Sequence, residues 1–321
     1  MLRYRILINP TARNGADRRW VGIVREAFAK TDHEVVIPGS FDAMRRAARE
    51  AIDERVDVVV VVGGDGTVNA VANVLAGSET ALAVVPAGTA NDLARALNIP
   101  LNPRGSCQSI LTGQRLPRDL GRVNGQYFLT GGGTGIVSDV ALGVHALKSG
   151  GGLQGWLTRA LGSLAYSLYS AWLLLTADQV PHRLHLVVDG HDLGDRNVLA
   201  FFVQNQPAIG RTIMPCPDTR PTDGSLGYCR LSWHSRLRGL MLAALLNQNG
   251  AHRRHRDVLI GEGRQFVLTS DEPLDFMADG EPLSQSSQLC VEVVPAGVWV
   301  IAPGPTAARQ DLLTEAAVKW A

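Results

Sequence analysis

Five consecutive valines, Val58 to Val62, restrict the fold of this chain more than any other stretch. A run that is apolar at every position suits a strand buried on both faces, as in a parallel sheet covered by helices. It leads into Gly63-Gly64-Asp65-Gly66-Thr67, after which apolar residues at 68, 71, 72 and 75 make a helical stripe. The glycines therefore lie in a strand-to-helix turn, where they allow positive φ and let a ligand approach the backbone. Unsatisfied N–H groups and the dipole at a helix start favour an anion such as phosphate. Asp65 repels an anion there unless it holds a metal or takes a proton. An acid beside a phosphate site points to phosphoryl transfer rather than simple binding.

The rest of the first hundred residues repeats the pattern. Tyr4–Ile8 reads as a strand ending at Asn9-Pro10, and Trp20–Ala29 as a helix. Val35–Ile37 and Phe41–Ile52 form a second strand and helix, and Ala81–Pro86 with the helix through Leu97 a fourth pair. This alternation predicts an α/β domain, with ligands beyond the carboxyl ends of the strands. The polar turns Asn9–Gly15, Gly63–Thr67 and Gly88–Asp92 would converge there. From residue 121 short alternating runs bounded by glycine predict a mainly antiparallel β-sandwich, interrupted by a helical insertion from Leu153 to Thr176. The domains are therefore 1–120 and 121–301. The last twenty residues, with a helix from Gln310 to Trp320, are candidates to pack back on the first domain.

Composition removes several function classes. With 321 residues, 45% hydrophobic and 19% charged, the chain can bury a full core. A formal charge of +1 gives no global attraction to nucleic acid. Four scattered cysteines without a Cys-x-x-Cys pair fit a reduced, cytoplasmic protein without a thiolate zinc site. No stretch reaches the ~20 apolar residues of a membrane span. Neither a P-loop nor a dinucleotide fingerprint is present.

Gly63–Thr67 resembles the signature of the diacylglycerol kinase and sphingosine kinase superfamily, and the match extends along the chain. Asn9-Pro10 is similar to the opening motif of the bacterial lipid kinases, and Pro86–Arg95 to their second nucleotide motif. Asp279-Gly280-Glu281 is similar to their Asp-Gly-Glu segment, and Asp223-Gly224-Ser225-Leu226 to their Asp-Gly-x-Leu turn. Ala70 and Val137 depart from the pattern, standing where the family usually has acids; so does Ile209-Gly210-Arg211, in place of a Gly-Gly-Gly.

The resemblance implies an ATP- and Mg²⁺-dependent lipid kinase acting on a hydroxyl of a lipid such as diacylglycerol, in a cleft between the two domains. Asn9, Pro10, Thr11, Gly63, Gly64, Asp65, Gly66, Thr67, Gly88, Thr89, Asn91 and Asp92 would meet the nucleotide. Asp279 is the favoured base, with Glu281 steering or sharing the metal and Asp65 the second choice as base. Asp223 with the backbones of Arg220 and Leu226 would hold a structural Mg²⁺. Peripheral contact with the inner membrane face is expected, through aromatic and leucine residues of Leu153–Thr176 and the basic run His252–Arg256. The alternatives are an NAD kinase-like or other small-molecule kinase, and a weakened lipid- or nucleotide-binding protein.

Overall fold

The computed structural model describes residues 2–12, 18–150, 155, 158, 164–176, 181–209, 213–246, 248 and 250–304. The chain divides into two compact units. The first comprises residues 1–64, 78–116 and 299 onward, and the second residues 65–77 and 117–298.

In the first unit, β1 (Arg3–Ile8), β2 (Asp32–Val36), β3 (Val58–Gly63) and β4 (Ala81–Pro86) form a parallel sheet in the order β2-β1-β3-β4. All five valines of β3 are at most 2% exposed, so both of its faces are covered. Val58, Val60 and Val62 share a core with Val24 and Phe28 of α1 (Arg18–Phe28) and with Cys107 and Ile110 of α5 (Pro103–Leu111). On α2 (Phe41–Asp53) the buried stripe is Met44, Ala47, Ala48 and Ala51, and Ser40 caps its start through Ala43 N. A short helix, α4 (Asp92–Ala96), follows β4. Register places Ile8 beside Val62 and Gly63 beside Pro86, so the turns leaving β1, β3 and β4 start side by side.

The second unit is mainly antiparallel. Its strands are β5 (Gln114–Val123, from Pro117), β6 (Gln126–Phe128), β7 (Gly131–Gly135), β8 (His182–Val188), β9 (His191–Gln204), β10 (Leu226–Ser232), β11 (Val258–Gly263), β12 (Gln265–Ala278) and β13 (Glu281–Ala302, to Val298). The path runs β11-β10-β9-β7-β12-β13; β8 also pairs β9 and β12, and β5 pairs β13 and β6. Strand periodicity, shifted by one residue at a bulge between Val198 and Ala200, splits β9 between two cores. Val198, Phe201 and Val203 join Phe128, Phe266 and Phe276 inside the sheet. Leu199, Ala200 and Phe202 face α6 (Ile136–Ser149), α7 (Leu164–Thr176) and α8 (Arg236–Leu246). The end of β13 belongs to the first unit, where Val300 pairs Leu82 in parallel.

Two features differ from the sequence expectation. Helices α6 and α8 lie within the stretch read as sandwich. Apolar residues spread over more than one side of both, and the middle turns of α8 carry no charge, so a 3.6-residue stripe is hard to see. Helix α3 (Asp65–Leu75), expected in a domain of residues 1–120, groups instead with the second unit. Asn73 supplies one reason: its amide accepts from Tyr127 N at 3.0 Å and donates to Tyr127 O at 2.9 Å, completing the β6 edge as a strand would. Residues 13–15, 210–211 and the Gln310–Trp320 segment lie outside the described residues, as does most of 153–163.

Candidate active site

In the first unit two of the turns are built by side chains bonding their own backbone. Asn9 Oδ1 accepts from Thr11 N at 2.9 Å and Thr11 Oγ1 at 2.8 Å, an Asx turn leaving β1. After β4, Gly88 N donates to Asn91 Oδ1 at 2.8 Å while Asn91 Nδ2 returns to Gly88 O at 2.9 Å. Asn91 holds φ 53°, a left-handed conformation that asparagine tolerates better than most residues. The turns touch at Gly64, where an added Cβ would sit 3.1 Å from Gly88 Cα. A side chain at 64 would crowd the backbone of the Gly88 turn. Thr89 is exposed, and Gly88 and Asp92 are half-buried, with Asp92 opening α4.

In the second unit the site forms around Asp279, in the turn joining β12 to β13 at φ 51°. Its carboxylate accepts four hydrogen bonds. Leu129 N reaches Oδ2 at 2.7 Å and Thr130 N reaches Oδ1 at 2.9 Å. Thr130 Oγ1 donates to Oδ1 and Asn69 Nδ2 to Oδ2, each at 2.5 Å. A carboxylate has about four lone-pair sites, so Asp279 is saturated by the protein itself. Asn69 belongs to α3 and is fixed by Asn73 Nδ2, which donates to its Oδ1 at 2.7 Å. The first turn of α3, with Asp65 at its head, is therefore anchored to the Asp279 turn.

Glu281 has the opposite surroundings. It is exposed, and a Cβ added to Gly66 would lie 3.0 Å from its Oε1. Glycine at 66 leaves the space that this carboxylate borders. Asp65 and Gly66 are half-buried, and Thr67 is buried.

Behind the site lies a buried polar layer. Arg118, 2% exposed, donates to Gln206 Oε1 at 2.9 Å and to Leu129 O at 3.4 Å. Burial pushes its pKa down to about 10, against the opposing pull of Asp279 and Asp119. Asn205 Nδ2 bonds the carbonyls of Asp119 and Leu129 at 2.6 and 2.8 Å. Arg118 and Asn205 thus hold the Leu129–Thr130 peptide that presents its N–H groups to Asp279.

The expected Mg²⁺ turn is more modest. Asp223 is exposed, and its Oδ1 accepts from Ser225 N and Ser225 Oγ at 3.0 and 2.9 Å. Arg220 precedes it in the same loop, and Leu226 follows it at the start of β10. The long-range bonding of that loop falls to Asp119, whose two oxygens accept from Gly224 N and Ala296 N at 2.8 Å each. Among the described residues no three His, Cys, Asp or Glu side chains cluster as metal ligands. Asn69, Thr130, Arg118 and Asp119 were not singled out as site residues from the sequence. Only Asn69 and Asn73, four apart on one helix face, carried a visible signal.

The diacylglycerol kinase catalytic domain model matches residues 3–123, and the YegS C-terminal NAD kinase beta sandwich-like domain model matches residues 143–302. The chain is 28% identical over 286 residues to the diacylglycerol kinase of Bacillus subtilis (strain 168), covering 88% of this chain and 90% of that one. It is 31% identical over 265 residues to the "Probable lipid kinase YegS-like" protein of Yersinia pestis (strain Pestoides F), covering 79% of this chain and 81% of that one. The chain belongs to the diacylglycerol kinase-like family of lipid kinases. It is accordingly a phosphotransferase with an alcohol group as acceptor.

The fold agrees. A diacylglycerol kinase structure from Bacillus anthracis str. Sterne superposes with a TM-score of 0.72 at 18% identity, covering 94% of this chain and 96% of that one. An NAD kinase from Archaeoglobus fulgidus, solved in complex with ATP, matches at 0.51 and 11% identity, over 97% of each chain. Its likeness extends to the fold alone. No helix among the described residues is long and apolar enough to cross a membrane.

Proposed function

We propose that this kinase transfers the γ-phosphoryl group of Mg²⁺-bound ATP to a hydroxyl of a lipid such as diacylglycerol, presented at the inner membrane surface. The observation that carries this reading is the anchoring of the Asp279-Gly280-Glu281 turn to the glycine-opened start of α3. The turns of Asn9–Thr11, Gly63–Gly64 and Gly88–Asp92 supply backbone groups and short polar side chains for the nucleotide. Mg²⁺ keeps most of its shell as phosphate and water oxygens, so one carboxylate suffices to meet it, and Asp65 offers it. When bound, the ion neutralises charge on the phosphates. At the second position, Asp223 and the carbonyls of Arg220 and Leu226 are hard oxygen donors of the kind a structural Mg²⁺ takes.

The roles within Asp-Gly-Glu differ from the sequence expectation. A general base needs an open lone pair, and those of Asp279 are occupied by four protein donors. We therefore assign Asp279 to positioning and Glu281 to accepting the proton of the acceptor hydroxyl, with Asp65 beside the phosphates.

ATP-dependent phosphorylation across a panel of lipid and soluble alcohols in mixed micelles tests this reading. Transfer to a lipid is expected, reduced about 100-fold or more in Glu281→Gln with stability unchanged. Transfer only to NAD or another soluble alcohol would overturn the lipid assignment. Full activity of Glu281→Gln would overturn its role.

A further inference from the structure

Helix α7 contains no charged residue, yet only part of it is covered. Ala165 and Leu174 are buried against the sheet, whereas Leu168, Trp172 and Leu175 are 57%, 54% and 57% exposed. Positions 168, 172 and 175 follow the i, i+4, i+7 spacing of one helix face. The neighbouring α8 repeats the arrangement. Leu242 and Leu246 are buried, while Leu237 and Met241, one turn apart, are 78% and 38% exposed. Arg236, at the start of α8, donates to Leu175 O at the end of α7, so the two helices are fastened end to start. The rings of Tyr169 and Trp172 lie 5.3 Å apart, a pairing of amphipathic aromatics suited to a headgroup boundary.

The charge beside this face is mainly positive. Between Asp223 and Asp257 the sequence has six arginines, three histidines and no acid, in a chain whose net charge is only +1. Arg236 and Arg238 lie on α8, and the 3-10 turn Ala251–Arg254 packs against that helix. Arg253 is neutralised by Asp218, and Arg238 and Arg256 lie 3.6 and 3.8 Å from Asp257, while the side chains of Arg254 and Arg256 are exposed. We propose that the outer faces of α7 and α8, with these arginines, form the surface by which the protein docks on an anionic lipid bilayer.

A bilayer accepts both halves of this surface at once. Leucine and tryptophan enter the acyl boundary while arginine meets phosphate headgroups. A second copy of the chain meeting the same face across a two-fold axis would set arginine against arginine. The proposal deepens the lipid-kinase reading, since a docked kinase meets its acceptor in the plane where that acceptor resides.

Co-sedimentation of the full chain with vesicles, without ATP, tests it. Vesicles of phosphatidylcholine with phosphatidylglycerol should bind the wild type, and phosphatidylcholine alone should bind it much less. Trp172→Ser with Leu237→Ser should weaken binding to the anionic vesicles about tenfold or more. Arg254→Gln with Arg256→Gln should weaken it about tenfold, with no effect on neutral vesicles. Both pairs are exposed, so thermal unfolding should match the wild type. Wild-type binding that the variants retain, or no wild-type binding, would overturn the surface. So would a dimer that the Trp172 and Leu237 variant dissociates without changing vesicle binding. Phosphorylation of a short-chain acceptor dissolved as monomers separates the two claims. Its absence with vesicle binding intact defeats the kinase reading and leaves the surface standing; the reverse defeats the surface alone.

Discussion

Two Asp-Gly turns in the second unit make an instructive pair. Both place glycine at positive φ, Gly224 at 73° and Gly280 at 84°. Among the described residues, the Asp223 carboxylate bonds its neighbour Ser225 alone. At Asp279 it gathers four donors from segments 149 to 210 residues away. The first is a turn that closes itself. The second is a junction where a helix, a strand edge and a hairpin are held by one carboxylate. In the loop of the first, the equivalent long-range work belongs to Asp119. The lesson is that an aspartate in a turn motif has to be judged by what reaches it across the fold.

Substitutions can break this comparison or sharpen it. The largest effect is expected at Asp279. Asp279→Asn turns an amide toward donors that need an acceptor, and should cost about 2–4 kcal/mol in urea unfolding, together with most of the activity. A loss as small as that of an exposed turn residue would erase the distinction. Asp119→Asn should come next, at about 1–3 kcal/mol, because an amide can accept from only one of Gly224 N and Ala296 N. Activity there should follow stability and return at lower temperature. Asp223→Ala should change stability by about 1 kcal/mol or less without metal. Adding Mg²⁺ should raise the wild-type midpoint and leave that of the variant unmoved, which melting curves with and without the ion would read.

The same contrast separates Asp279 from Glu281, two residues further on. One carboxylate is enclosed by donors, and the other borders the space kept open by Gly66. The sequence reading gave Asp279 the base role and Glu281 that of steering or sharing the metal. Hydrogen-bond occupancy divides them: the lone pairs of Asp279 are filled by fixed N–H and O–H donors, and on the proposed reading the substrate proton falls to Glu281.

Several features were legible without coordinates because their causes are local. The valine run of β3 read as a strand covered on both faces, and the alternation of strand and helix as a parallel sheet, whereas its place between β1 and β4 came from the fold. The glycines at 64 and 66, the asparagines at 9 and 91, and the Asp-Gly turns were visible because turn chemistry acts over a few residues. The allegiance of α3 was not visible, since it rests on Asn69 and Asn73 meeting Asp279 and Tyr127 far along the chain. Nor was the buried charge of Arg118 or the load carried by Asp119. Partners separated by a hundred residues leave no pattern in either segment alone. Local propensity determined the elements and their turns, and tertiary structure decided which acid is enclosed, which is open and which apolar face is left uncovered.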